Sequence, residues 1–256
     1  MATSPKVLIL MADYGHDPTE TAVPYTAFKE AGFDVRFATE NGKAPECDRR
    51  MCEGVIQKLL GAKQEAVGMY RKMVASEECK NPLAWSAQGF SLDQFDMCFL
   101  PGGHEKSVRQ LIDSDTVHKL FASYFPQTKK PGKKVVGAVC HGVMVLSESK
   151  GDDGKSVIYD CTTTSLPARF EQVAFWGTRA FLGDYYKTYG QGSEDVEMSV
   201  SLAPPSSPGP SERARDNKHV RGFVVEDPNY NYITARFPND VDLLSEKLVK
   251  LVQSLQ

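Results

Sequence analysis

The sequence predicts an α/β fold: a three-layer sandwich in which a mostly parallel sheet carries helices on both faces and a helical insertion. Three observations lead to this prediction. Short, β-branched apolar runs alternate with amphipathic helical segments along the 256 residues. The runs lack polar alternation, which is typical of parallel strands buried on both faces. Polar or glycine-rich loops follow several runs, and a parallel sheet brings such loops to one edge.

Composition narrows the classes of function. The formal net charge of −3 argues against a protein that binds nucleic acid or a membrane surface. No apolar stretch approaches the roughly 20 residues of a membrane span, and the N-terminus lacks a signal-peptide pattern. The six cysteines are scattered without a C-x-x-C pair, which predicts reduced thiols and a cytoplasmic location. We expect a single domain over residues 1–256, because a chain of this length buries a sufficient core.

The chain opens with a βαβ unit. Residues 6–11 form an apolar run, and a polar loop from Asp13 leads to a helix that Thr19 can cap. Gly32 ends this helix, and residues 33–38 alternate as a second strand. A helical crossover joins parallel strands, so the first two strands are predicted to be parallel.

Residues 46–93 interrupt the alternation. Residues 49–60 and 63–75 have the pattern of two amphipathic helices, and residues 81–85 have the composition of a loop. The segment is too short and too poor in apolar residues for a core of its own. We interpret it as a helical insertion laid over the sheet.

A strand predicted at residues 95–100 ends in the turn Pro101-Gly102-Gly103-His104. The glycines of this turn allow a ligand to approach the backbone closely. Helical segments follow to about residue 125, with a break near residue 113.

The next strand, Val135–Val139, runs without a spacer into Cys140, His141 and Gly142, and a helical apolar segment follows. Strand, sharp turn, reactive side chain and helix is the layout of a nucleophile elbow. Such a turn holds one side chain beyond the sheet edge and aims the first helix amides at it, which favours a thiolate. We therefore interpret Cys140 as a nucleophile and assign the other cysteines to packing or to the surface.

The remainder of the chain continues the α/β pattern. The predicted elements are strands at 157–159, 197–202, 221–225 and 230–235, an aromatic-rich helix at 168–185, an exposed Pro/Ser-rich loop at 203–216 and a C-terminal helix from about residue 239.

Several segments together carry a resemblance to a known family. They are residues 19–24, 33–45, 100–104, 138–142 and 231–236. On these segments the chain resembles the ThiJ/PfpI superfamily, which is related to class I glutamine amidotransferases. Within it, the chain is most similar to the glyoxalase III and heat-shock-chaperone-like branch. The resemblance implies a flavodoxin-like sheet and, by analogy, a homodimer.

The resemblance also implies catalytic residues. Beside the nucleophile Cys140, it places the Glu20 carboxyl, which can shuttle a proton if burial raises its pKa. His141 is implied as a general acid and base. An acidic residue about thirty positions beyond the cysteine would orient that histidine; the candidates are Glu171 and, less favoured, Asp160.

Binding residues are expected around the same point. Backbone N–H groups of the Gly102-Gly103 turn and of His141 would form an oxyanion hole. His16, His104 and Trp176, together with Tyr14, are candidates to line the pocket. The spacing of His16, His104 and Glu105 has nothing specific to metals, so no metal or cofactor is predicted.

The resemblance implies a cofactor-independent, cysteine-dependent enzyme acting on small reactive carbonyl compounds, either a glyoxalase III that converts methylglyoxal to lactate or a deglycase. Two alternatives remain open: a hydratase or isomerase with a pathway-specific substrate, and a holdase chaperone or oxidative-stress sensor in which Cys140 is oxidised. A glutamine amidotransferase is disfavoured, because His219 begins no His-x-Glu pair.

Overall fold

The computed structural model describes residues 4–54, 57, 61–167, 183, 185, 188–189 and 222–256. The predicted strand at 197–202 and the loop at 203–216 lie outside the described residues, as does most of the aromatic helix predicted at 168–185. None of the helices in the described ranges combines the length and apolar character needed to cross a bilayer.

A seven-stranded sheet forms the centre of the molecule. Its strands are β1 (Lys6–Leu10), β3 (Asp34–Thr39), β5 (Leu83–Ala84), β6 (Met97–Leu100), β7 (Val135–Val139), β8 (Val224–Glu226) and β9 (Tyr232–Ala235). They lie in the order β5-β3-β1-β6-β7-β9-β8, and every neighbouring pair is parallel except β8 with β9. A separate pair, β2 (Tyr14–His16) and β4 (Glu46–Cys47), extends the loop after β1. The predicted, mostly parallel sheet is confirmed.

The helices fall into two groups that pack on the sheet. The α-helices of the described residues are α1 (Pro18–Glu30), α2 (Arg49–Cys52), α3 (Gln64–Ala75), α4 (Glu77–Lys80), α5 (Arg109–Ile112), α6 (Asp115–Tyr124), α7 (Gly142–Glu148) and α8 (Val241–Ser254). Helix α1 contacts α3 and α8, whereas α5 and α6 contact α7. Short 3₁₀ turns at Lys106–Val108, Phe125–Thr128 and Pro238–Asp240 precede or follow helices.

The central strands are buried on both faces, as their continuous apolar runs predict. Every residue of β6 and β7 is buried, and so are Val7 to Leu10 of β1. Gly137 of β7 lets α8 approach the sheet, because a Cβ at this position would lie 2.5 Å from Leu248 Cδ1. The core therefore holds β7 rigidly at the point where the chain runs into Cys140.

Three local predictions of secondary structure are wrong. The helix predicted at 49–60 is interrupted after Cys52, because Glu53 has an extended backbone. The predicted loop at 81–85 contains β5, which pairs with Ala38 and Thr39 at the sheet edge. A two-residue strand after a proline has no periodicity that a sequence pattern could reveal. The predicted strand at 157–159 is a turn in which the Tyr159 N–H bonds to the Ser156 carbonyl. Its apolar residues pack as a turn on the core instead of joining the sheet.

The N-cap of α1 also differs from the prediction. Asp17, not Thr19, caps the helix, and its carboxylate accepts hydrogen bonds from the Thr19 N–H at 2.7 Å and the Glu20 N–H at 3.1 Å. Pro18 occupies the first turn, where its missing N–H costs nothing. The Asp17-Pro18 sequence could have given the correct cap. This cap fixes where Glu20 enters the site.

Candidate active site

The predicted strand–turn–helix layout around Cys140 is confirmed. Cys140 has φ = 56°, the only non-glycine residue with positive φ among those the structure describes. Its N–H donates to the carbonyl oxygen of Ala235 at 3.2 Å, so β9 anchors the turn. Gly142 is required here, because a Cβ would overlap the carbonyl oxygen of Leu100. The cysteine is therefore held in a left-handed conformation by the chain on both sides of it.

Three elements converge on the thiol. A Cβ placed on Gly102 would lie 2.5 Å from Glu20 Oε2, 2.6 Å from Cys140 Cβ and 2.9 Å from the His141 nitrogen. The first turn of α1, the turn after β6 and the elbow after β7 thus meet within contact distance. The structure brings together Glu20, Gly102, Cys140 and His141, as their positions after or beside parallel strands predict.

Glu20 is a buried carboxyl with little to stabilise its charge. Burial raises the pKa of Glu20 well above its usual range, and the negative charge of Asp17 raises it further. The Cys140 thiol and the Gly102 backbone approach the carboxyl and lower this pKa by less. Neither Glu20 oxygen has a hydrogen bond of good geometry within the described part of the chain. This environment favours the protonated form of Glu20 over the carboxylate.

His141 lies against the sulfur. Its Nδ1 is 3.3 Å from Cys140 Sγ, and its side chain is buried. His104 packs edge-on against the His141 ring, with 4.8 Å between the ring centroids and an angle of 70°. Burial lowers the pKa of His104 to about 4, so this ring is neutral near pH 7. Thr188 donates to the His104 carbonyl oxygen at 3.1 Å, which links a later segment to this turn.

His16 connects two loops beside the thiol, and its role in lining the pocket stays a prediction. Its Nε2 accepts the Ala12 N–H at 2.8 Å, so Nδ1 carries the proton and donates to the Gly102 carbonyl oxygen at 3.0 Å. Burial lowers the pKa of His16 to about 4, which keeps the ring neutral. The ring ties the loop after β1 to the Gly102 turn.

The two glycines of the turn after β6 have separate positions. Gly102 faces the thiol, whereas a Cβ on Gly103 would lie 2.6 Å from the Gly15 carbonyl oxygen. Gly103 has φ = 156°, and the Asp17 N–H bonds to the Gly102 carbonyl oxygen at 3.0 Å. Gly103 therefore packs on the loop that precedes α1. Their role as oxyanion donors stays a prediction.

Three other buried acidic side chains lie near Glu20 or near Asp17. Burial raises the pKa of Asp17 to about 6, and burial also raises the pKa of Asp48. Asp240 adds a negative charge near Glu20 and is paired with Arg236, whose Nε lies 2.8 Å from Asp240 Oδ2. Asp48 and Asp240 lie far from Glu20 in the sequence, so no local motif identifies them as its neighbours.

Two predicted site residues cannot be placed. Glu171 and Trp176 lie outside the described residues. Asp160, the less favoured partner for His141, accepts a hydrogen bond from the Tyr230 hydroxyl at 3.1 Å. The third member of a triad stays a prediction.

Comparison with known proteins places this arrangement in a family. The model of the ThiJ/PfpI family-like proteins matches residues 11–213, which include α1, the Gly102 turn and the elbow. The chain belongs to the ThiJ/PfpI family. The matched residues include the loops at one edge of the α/β sheet that carry the candidate site.

Relatives of this ThiJ/PfpI protein include two from Schizosaccharomyces pombe. The chain is 26% identical over 250 residues to the uncharacterized protein C14C4.04, covering 97% of this chain and 84% of the relative. It is 25% identical over 193 residues to the glutathione-independent glyoxalase hsp3101, covering 68% of this chain and 72% of that relative.

Solved structures share the fold of this ThiJ/PfpI protein. The rapid encystment protein REP24 of Francisella tularensis superposes with a TM-score of 0.68 at 17% identity, covering 97% of this chain and 99% of the other. Glyoxalase III of Candida albicans superposes with a TM-score of 0.64 at 18% identity, covering 96% and 97% of the two chains. The flavodoxin-like α/β fold is thus shared over nearly the whole length.

Proposed function

We propose that this protein is a cysteine-dependent enzyme acting on small reactive carbonyl compounds, of the glutathione-independent glyoxalase type. One observation carries the proposal: Glu20 and His141 both lie against Cys140, at a buried turn that forces the cysteine into a left-handed conformation. A nucleophile with two adjacent proton carriers suits a reaction that forms a covalent adduct and then moves protons within it. The similarity to a glutathione-independent glyoxalase and to the fold of a glyoxalase III supports the same choice.

The proposed reaction begins with the Cys140 thiolate. The sulfur attacks the aldehyde carbon of methylglyoxal, and the carbonyl oxygen takes a proton, which gives a hemithioacetal. The C–H bond of that carbon then breaks, and a proton returns to the neighbouring carbon. The hydroxyl proton of the first carbon passes to the oxygen of its neighbour, which leaves a thioester of a 2-hydroxy acid. Water cleaves the thioester and releases lactate and the thiol. No net oxidation occurs, because one carbon is oxidised while its neighbour is reduced.

Each residue has a step in this scheme. His141 Nδ1, 3.3 Å from the sulfur, takes the thiol proton. Glu20, protonated because of its burial, gives a proton to the developing alkoxide and later carries one between the two carbons. Backbone N–H groups beside Gly102 stabilise the oxyanion.

The test compares wild type with Cys140→Ser on methylglyoxal, glyoxal and a glycated amine, with lactate or glycolate measured as product. Wild type is expected to form lactate from methylglyoxal, and Cys140→Ser is expected to lose at least about 1,000-fold in turnover. Cys52→Ser is the matched control, because Cys52 is only partly buried and lies outside the site. Full turnover by Cys140→Ser would exclude this function. Turnover of the glycated amine alone would favour a deglycase.

A further inference from the structure

We propose that His104, Cys140 and His141 form a binding site for Zn²⁺, and that the bound ion blocks the thiol. Zinc binding at these residues depends only on their ligand atoms and is independent of any turnover of carbonyl compounds. Within the described ranges, these side chains form the group of three His, Cys, Asp or Glu residues whose ligand atoms converge, all lying within 4.8 Å of one another.

The distances suit one small ion. Zinc–nitrogen bonds are about 2.0–2.1 Å and zinc–sulfur bonds about 2.3 Å, so ligand atoms around a tetrahedral ion lie roughly 3.3–3.7 Å apart. Cys140 Sγ and His141 Nδ1 are already 3.3 Å apart. The His104 ring faces the His141 ring edge-on, with 4.8 Å between centroids. Shifts of about an ångström or less in the two rings would complete the set.

The chemical nature of the ligands selects the ion. One thiolate and two imidazoles suit Zn²⁺ and related transition metals, whereas Mg²⁺ and Ca²⁺ prefer oxygen ligands. Three protein ligands leave a fourth position for water. Cys140 and His141 are buried and His104 is half-buried, so the ion would enter from the side of the His104 turn.

Binding has a defined consequence for the thiol. The sulfur lone pair that would attack an electrophile forms the bond to zinc, and the thiol proton is released to solvent. His141 Nδ1 exchanges its contact with the sulfur for a bond to the ion. The ion acts as a reversible cap on Cys140, and a chelator removes it.

Direct binding tests the site without reference to catalysis. Metal-free full-length protein is titrated with Zn²⁺ against a chromophoric chelator, and with Co²⁺ to observe thiolate-to-cobalt charge transfer in the near ultraviolet. We expect one equivalent per chain and a charge-transfer band that disappears in Cys140→Ser. His104→Gln should weaken Zn²⁺ binding by at least roughly 100-fold. Cys52→Ser and His118→Gln are matched controls that should bind as wild type does.

A second readout needs no variant. In wild-type protein, alkylation of Cys140 by iodoacetamide, followed by mass spectrometry of its peptide, should slow in the presence of Zn²⁺ and recover with chelator. The proposal is overturned if Co²⁺ charge transfer persists in Cys140→Ser, if His104→Gln binds as tightly as His118→Gln, or if Zn²⁺ leaves the alkylation rate of Cys140 unchanged. Thermal denaturation of each variant identifies any that is misfolded.

Discussion

Glu20 has an environment unlike that of a carboxylate in water. It is buried on the first turn of α1, and Asp17 adds a like charge, so its pKa lies well above the usual range. The helix N-terminus would favour an ionised carboxylate, but in this site desolvation has the larger effect. The protonated form of Glu20 is therefore favoured more strongly than that of an exposed glutamate in a first turn.

Glu20→Gln separates proton transfer from packing. Glutamine keeps the shape and the neutral charge of a protonated glutamate, so the melting temperature at pH 7 should change little. Turnover of methylglyoxal should fall about 100-fold or more, because general acid–base catalysis supplies that range. Glu30→Gln, at the exposed far end of α1, is the control. Unchanged turnover in Glu20→Gln would exclude a proton-transfer role.

His16 gives the fold a defined dependence on pH. Its pKa falls from 6.5 to about 4 on folding. Between these two pH values, the ring is therefore protonated in the unfolded chain and neutral in the folded one. The contribution of His16 to stability is complete above pH 6.5 and is lost as the pH falls toward 4. The pKa of Asp17 is raised to about 6, so its contribution to stability has the opposite pH dependence over much of this range. In the wild type, the two contributions to the free energy of unfolding therefore partly cancel.

The effect is visible as a difference between two proteins. His16→Gln should be less stable than wild type at pH 7.5, and the gap in free energy of unfolding should narrow by about 2 kcal/mol between pH 6.5 and 5. Urea denaturation at each pH measures the gap. Because Asp17 is present in both proteins, most of its contribution cancels. A gap that stays constant with pH would show that His16 is not held neutral.

At the scale of elements, the sequence predicts the features that contiguous residues encode. The apolar run Val135–Val139 followed by Cys140 and Gly142 is contiguous, so the strand, the elbow and α7 are predicted correctly. The N-cap of α1 was missed although Asp17-Pro18 carries the signal, because Thr19 is an equally acceptable cap by type. The positions of Gly102 and Gly103 relative to the thiol depend on α1 and β7, and no local pattern contains that information.

A substitution at Gly102 tests whether α1, the turn after β6 and the elbow after β7 must lie in contact. Gly102→Ala should destabilise the protein and abolish turnover, since the new Cβ would lie 2.5 Å from Glu20 Oε2 and 2.6 Å from Cys140 Cβ. Gly68→Ala is the control: it lies in α3 with nothing within 4 Å of the added Cβ. Gly68→Ala should stabilise by about 0.5–1 kcal/mol. Thermal denaturation and turnover are measured for both, and an active Gly102→Ala variant would contradict the close approach.

At the scale of the whole molecule, a buried ion pair in the C-terminal part of the chain lies near the site. Arg236 and Asp240 form a buried ion pair, with 5% and 1% of their side chains exposed. The Arg236 guanidinium also lies 4.6 Å from the Phe223 ring centroid and 4.8 Å from that of Phe237. Asp240 acts on Glu20 through its charge, so this pair couples the end of β9 to the reactive centre.

Arg236→Met leaves Asp240 as a buried charge without its main partner. The free energy of unfolding should fall by about 3–5 kcal/mol. Lys247→Met, which breaks an exposed ion pair with Glu226, should cost about 1 kcal/mol or less. Urea denaturation compares the two variants. Equal losses would mean that burial of the Arg236 pair does not determine its contribution.

The fold as a whole was predictable and its electrostatics were not. Alternating strands and helices give the parallel sheet and the edge at which its loops meet. The environments of Glu20 and His16 depend on burial and on charges from distant segments such as Asp240. Burial of this kind is a property of the assembled layers, so sequence periodicity indicates which side chains are inside without giving their pKa values.

At position 140, the left-handed backbone favours glycine, whereas the chain carries a cysteine. A non-glycine residue at φ = 56° costs about 1–2 kcal/mol relative to glycine. Glycine at this position would remove that backbone cost but would also lose the packing of a fully buried side chain. A screen of this protein for heat resistance must therefore also check that position 140 still carries its thiol.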